Sequence, residues 1–131
     1  MRFAMDLRLS AHELEGLALL ERTCSRQISV VNDIFSWSKE LLASQKSQAE
    51  GSSLCTAVKV MADETGLEIE AAKRVLWVLT REWESVYDQL AREIEQSAPS
   101  ESVMRYLTGL RFQMSGNEEW SRTTLRYHDL E

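Results

Sequence analysis

In the segment ISVVNDIFSWSKE (28–40), the polar residues Asn32, Asp33, Ser36, Lys39 and Glu40 interrupt an otherwise apolar run. On a helix turning about 100° per residue, with Asn32 at 0°, Ser36 falls at about 40°, Glu40 at about 80° and Lys39 at about −20°. All four share one face, beside Ile28, Val31 and Phe35, where an unpaired polar group costs about 1–3 kcal/mol. An amide oxygen, a hydroxyl and a carboxylate from successive turns make a hard, all-oxygen set that suits Mg2+, which prefers octahedral geometry and completes its shell with water or phosphate. One carboxylate alone holds Mg2+ weakly. The set therefore points to a site completed by a phosphate ligand, with Lys39 supplying positive charge to that phosphate. A solvated helical face with no ligand fits the same spacing, and spacing alone favours it.

These residues need a helix to hold them, and the sequence predicts helix throughout. Ser10 and Glu13 form an S-x-x-E capping box, so a helix is expected from about Ala11. It should run past Glu40 and fade in SQKSQAEGSS (44–53), a polar stretch that reads as a loop. A short helix over Leu54 to Glu64 follows, with Ser53 as its cap and Gly66 available for left-handed termination. From about Glu68 to Gln96, Val75, Leu79, Trp83, Val86, Leu90 and Ile94 recur at steps of three and four, the stripe of an amphipathic helix. SAPS (97–100) breaks it, since Pro99 biases Ala98 away from helical geometry and can start the next helix. Val103 to Met114 then reads as helix closed by Gly116, with GNEEWSRTTLRY (116–127) as a short helix or turn before a tail. With no strand alternation and no repeat, residues 1–131 read as one all-α domain or a part of one.

Composition narrows the function. The chain has 131 residues, is 44% hydrophobic and 27% charged, and holds one proline and five glycines, which predicts a packed core. A net charge of −6 disfavours non-specific binding to nucleic acid or to an anionic membrane surface. The longest strongly apolar run, Val75 to Leu79, is too short to span a bilayer, and the N-terminus has no signal-peptide core, so a soluble cytoplasmic protein is expected. Cys24 and Cys55 belong to no CxxC or histidine motif and are expected to be buried free thiols. Trp37, Trp77 and Trp83 are assigned to core packing, His12 to the surface and His128 to a tail.

The segment VNDIFSWSKE resembles the Asn-Ser-Glu metal motif of class I terpene cyclases, N-D-x-x-S-x-x-x-E, including the Lys just before its Glu. A second match lies in GNEEWSRTTLRY, where Arg126-Tyr127 resembles the Arg-Tyr pair that closes the active site in that family. The blocks Glu50 to Val60 and EAAKRVLWVLTREWE (70–84) are also similar to the fungal sesquiterpene cyclases, and the likeness covers the chain from about Leu9 to Tyr127. The resemblance implies the C-terminal helices of the class I terpenoid synthase bundle. It implies that Asn32, Ser36 and Glu40 bind one Mg2+ of a trinuclear cluster, and that Lys39, Arg126 and Tyr127 hydrogen-bond the diphosphate of farnesyl diphosphate. The implied reaction is ionisation of that substrate and cyclisation to a bicyclic hydrocarbon, with Trp120 facing the carbocation. Asp33 belongs to the motif without being a usual ligand and is expected to make a salt bridge or a cap on a neighbouring helix. Asn117 and Ser121, one helical turn apart, could hold an ordered water or polar group near the diphosphate, or cap a turn.

One departure from the family pattern matters. The family also uses an aspartate-rich motif, D-D-x-x-D or a relative, whereas Asp6, Asp33, Asp63, Asp88 and Asp129 are scattered and the pair Asp63-Glu64 falls in the wrong order along the chain. The family's diphosphate-sensing Arg lies well upstream of the Asn-Ser-Glu motif, and Arg22 and Arg26 are too close to match it. The chain is thus expected to be the C-terminal half of a cyclase, inactive alone, with an exposed apolar face through which it forms homo-oligomers. The alternative is a non-catalytic helical remnant that acts only by association.

Overall fold

The computed structural model describes residues 11–47, 56–124 and 127. Among these, every regular element is an α-helix: α1 (Ala11–Gly16), α2 (Ala18–Ser47), α3 (Ala57–Thr65), α4 (Ile69–Gln96) and α5 (Glu101–Thr123). The single long N-terminal helix predicted from Ala11 is interrupted once, by a turn at Leu17. Ser10, Ser53, Cys55, Arg126 and His128 lie outside the described residues, as do most of the 44–53 loop and the side chain of His12.

Helix ends follow local hydrogen-bond chemistry. α3 starts later than expected, because Thr56 rather than Ser53 is its cap: the Thr56 side chain accepts from Lys59 N–H at 3.2 Å. Asp33 of α2 takes a second orphan donor, accepting from Ala57 N–H at 2.8 Å. This is the cap on a neighbouring helix expected of Asp33, and it ties α2 to α3. Gly66 ends α3 in the left-handed region (φ 73°), with its N–H on Ala62 O, where a Cβ would add strain. At the α4–α5 corner Ala98 is left-handed (φ 54°). Pro99 does not open α5; Ser100 caps it by accepting from Val103 N–H at 3.2 Å, and donates to Glu13 Oε2 at 2.7 Å.

Two expectations fail for reasons of packing. The buried line of α4 is Ala72, Leu76, Thr80, Tyr87 and Ala91, about one residue round from the predicted stripe. Small side chains at 72, 80 and 91 let α4 approach its neighbours closely. Leu79, Leu90 and Ile94 then pack from the flanks, and Val75 and Val86 are left exposed. Likewise α5 does not stop at Gly116 but continues to Thr123. An interior glycine costs a helix about 1 kcal/mol, and side-chain ties to α2 and α4 beyond it outweigh that cost.

All closely packed helix pairs involve α2 or α4, and the most extensive is α2 with α4. The core has two parts. In one, Leu20 and Cys24 meet Tyr87, Ala91, Leu107, Leu110 and Met114; in the other, Ile34 and Trp37 meet Val58 and Leu76. Trp37 is thus core, as expected, and Trp77 is half-buried against the same cluster. Tyr87 donates to Leu107 O at 2.6 Å. The free thiol of Cys24 lies 3.8 Å from Leu110 O, and burial, with Glu21 nearby, pushes its pKa up to about 11. Gln27, Thr80 and Ser121 are buried polar residues of α2, α4 and α5.

Because Asp33 caps α3 from another helix, Asp33→Ala is expected to destabilise the chain by about 0.5–2 kcal/mol and Asp33→Asn by less. Urea unfolding with an unchanged slope and a lowered midpoint is the measurement.

Candidate metal and diphosphate site

The α2 turns from Asn32 to Glu40 present the expected oxygens on one side of the helix. Ser36 is buried and donates to Glu40 Oε1 at 2.7 Å. A hydroxyl that donates its proton keeps lone pairs for a further partner, so this bond aligns the two oxygens without consuming the hydroxyl. Asn32 Oδ1 accepts from Ser121 Oγ of α5 at 3.4 Å, longer than a strong O–H···O bond, which makes the amide oxygen cheap to redirect. Lys39 is exposed at the edge of this face. The donors are hard oxygens with a single carboxylate, which fits a divalent cation shared with a phosphate ligand. Among the described residues no three of His, Cys, Asp and Glu form a metal cluster.

The C-terminal part of α5 closes on this region from the side. Ser121 is fully buried, whereas Trp120 is half-exposed and packs edge-to-face on Tyr127, with centroids 5.6 Å apart at 79°. Asn117 is inside the helix and so caps no turn. Its buried Nδ2 has no hydrogen-bond partner among the described residues, an orphan donor whose desolvation costs about 1–3 kcal/mol and which suits a water or a polar ligand atom. Arg126 lies outside the described residues. Tyr127 is among the described residues. It lines a neighbouring open cavity of about 590 Å3 with Ile34, Phe35 and Ser38 of α2, Lys73, Trp77 and Arg81 of α4, and Arg122 of α5.

Several residues that organise this end of the bundle were not singled out from sequence. Arg81 donates to both carboxylate oxygens of Glu118 at 2.7 and 3.1 Å and to Glu84 Oε2 at 2.8 Å. Arg122 donates to Glu118 Oε2 at 3.0 Å. Hydrogen bonds from Arg81, opposed by partial burial and reinforced by Arg122, hold the Glu118 carboxyl below its ordinary range, and Glu118 in turn raises the Arg81 guanidinium above its own. Gln27 Nε2 donates to Glu84 Oε2 at 3.2 Å, while Gln27 Oε1 is buried without a partner among the described residues. In sequence these residues look like ordinary i,i+3 and i,i+4 surface pairs; only tertiary packing brings Arg81 onto Glu118.

The fold belongs to a known class. Residues 1–85 match the model for terpene synthase family 2, C-terminal metal binding, and the chain belongs to that family. Over 130 residues it is 54% identical to an aristolochene synthase of Penicillium rubens, a match that covers 98% of this chain and 38% of the relative. It is 48% identical over 128 residues to the aristolochene synthase of Aspergillus terreus, of which it spans 40%. Its fold is similar to the crystal structure of aristolochene synthase from Penicillium roqueforti, with a TM-score of 0.78 and 50% identity over 95% of this chain and 40% of that one. The chain thus spans about two fifths of the relatives it resembles. None of its described helices is long and apolar enough to cross a membrane.

The depressed Glu118 carboxyl gives a signed pH dependence. A lowered folded value contributes stability that is full above the ordinary glutamate value of 4.5 and is lost as pH falls below it, through the folded value. The chain should therefore unfold at higher urea than Glu118→Gln at pH 7, with the difference shrinking on acidification. A difference independent of pH would contradict the charged pairing.

Proposed function

We propose that this chain is the metal- and diphosphate-binding portion of a sesquiterpene cyclase that acts on farnesyl diphosphate with Mg2+. The observation that carries the reading is the α2 face on which Ser36 donates to Glu40 at 2.7 Å and Asn32 is met by Ser121, in a chain so similar to aristolochene synthases. Asn32 Oδ1, Ser36 Oγ and the Glu40 carboxylate would hold the cation. When bound, Mg2+ neutralises the negative charge that develops on a departing diphosphate. Lys39, Arg126 and Tyr127 donate to the diphosphate oxygens, Arg126 through a planar fork that takes two at once. Such donors accelerate ionisation because they bind more strongly as charge accumulates on the leaving group.

Trp120 offers a ring face to the carbocation left behind, a contact worth about 2 kcal/mol or more when desolvated. Asn117 and Ser121 provide polar contacts near the diphosphate. A bicyclic hydrocarbon such as aristolochene is the product this reading assigns, on the strength of the relatives. The sequence carries no aspartate-rich motif, so turnover is assigned to this portion together with complementary helices. A second reading, an association module without chemistry, draws on the exposed apolar side chains Val75, Val78 and Val86 of α4 and Phe112 of α5; homo-oligomers would form through such a surface.

Calorimetry and headspace gas chromatography separate these readings. The chain is expected to bind inorganic diphosphate in a Mg2+-dependent manner, to lose that binding at least tenfold in Asn32→Ala, and to release no hydrocarbon from farnesyl diphosphate. Folded protein that shows no Mg2+-dependent binding would contradict the proposal and leave the association module. A hydrocarbon that disappears in Asn32→Ala would show that the chain completes its own site, overturning the assignment of turnover to a larger assembly.

A further inference from the structure

Five contacts close a ring through three helices. Phe35 of α2 meets Trp77 of α4 edge-to-face at 5.6 Å; the Arg81 guanidinium stands 5.1 Å from the Trp77 centroid; Arg81 pairs with Glu118 of α5; Glu118 pairs with Arg122; and Arg122 lies 5.5 Å from the Phe35 centroid. The ring frames the cavity that Tyr127 also lines. Its cations are already matched: Lys73 by Glu70, Arg81 by Glu118 and Glu84, Arg122 by Glu118. The pairing of Arg81 with Glu118 joins α4 to α5 and so serves to hold the helices.

The end of α5 needs such a hold. Its contribution to the apolar core ends at Met114, and Gly116 follows, an exposed position with nothing near its Cβ site. Beyond that point Trp120 is half-exposed, and the bond from Ser121 to Asn32 is long. The Glu118 carboxylate, by contrast, is largely sheltered at 19% exposure and receives a two-pronged guanidinium from another helix. Charge-assisted pairs of this geometry are about twice as strong as neutral hydrogen bonds and fix orientation as well as distance.

We propose that Glu118, gripped by Arg81 and Arg122, is a positioning residue that sets the last turns of α5, and so places Trp120 and Ser121 beside α2 and Tyr127 on Trp120. Its relevance to catalysis rests on the function proposed above; the positioning itself does not.

The test uses the chain labelled with 5-fluorotryptophan, whose four indole signals are assigned by single Trp→Phe replacements. In Glu118→Gln the Trp120 fluorine resonance should shift and broaden while that of Trp37, in the core, stays in place. Glu118→Asp, which keeps the carboxylate, should return Trp120 most of the way. A Trp120 signal that superimposes on the parent's in Glu118→Gln would overturn the proposal. If Glu118→Gln also loses the Trp37 signal through unfolding, Arg81→Lys, which keeps the charge but loses the fork, decides: movement of Trp120 alone supports positioning, and an unmoved Trp120 refutes it. Titration with Mg2+ and inorganic diphosphate should then show binding about tenfold weaker in Glu118→Gln. Equal binding by both proteins would overturn a role for Glu118 in the site. Binding by neither, with Trp120 still displaced in the variant, would sink the proposed function and leave the positioning intact.

Discussion

One helix carries both the core and the proposed metal face. α2 runs for 30 residues, about 45 Å at 1.5 Å per residue, long enough to contribute to both apolar clusters. Leu20, Cys24, Ile34 and Trp37 are buried along it, and so is Ser36, between the partly exposed Asn32 and Glu40. Because the same turns that bury Ile34 and Trp37 present Ser36 and Glu40, the oxygens cannot slide relative to one another without dislodging the core. That rigidity is what a metal site built from single, weak donors requires, since correct placement has to compensate for low charge.

The other helices fix where α2 points. Asp33 takes the first N–H of α3, so the motif's acidic residue that is not assigned to the metal holds a neighbouring helix. α4 lies against α2 along a line of small and apolar side chains. α5 meets the proposed metal face near its end, through Ser121, and that end carries the charged pairs of Glu118 with Arg81 and Arg122. The bundle is therefore firm where α2 and α4 meet and depends on polar contacts at the end of α5.

Much of this was legible in the sequence. Helix identity followed from periodicity and punctuation: Gly66 closes α3, the 97–100 segment separates α4 from α5, and α4 begins within a residue of its expected start. The shared face of Asn32, Ser36, Glu40 and Lys39 followed from helical geometry alone, and the motif resemblance gave it a chemical meaning. The α4 core stripe was misplaced because the largest side chains drew attention, whereas close packing selected Ala72, Thr80 and Ala91. Gly116 was read as a stop, since nothing local shows that Arg81, far along the chain, would grip Glu118 just beyond it. Tertiary charge pairing leaves no short-range signature, and so the organisers of the C-terminal end were invisible until the helices were assembled.

Joint binding of a divalent cation by Asn32, Ser36 and Glu40 is what the proposed function requires. Its most direct test is a crystal structure of the chain with Mn2+, as a Mg2+ substitute, and inorganic diphosphate, with data collected to locate the metal by anomalous scattering. A single anomalous peak about 2.0–2.3 Å from Asn32 Oδ1, Ser36 Oγ and a Glu40 oxygen, with a diphosphate oxygen completing the shell, is the predicted result. An ordered diphosphate with the metal bound elsewhere, or an α2 face carrying no peak at saturating Mn2+, would contradict it.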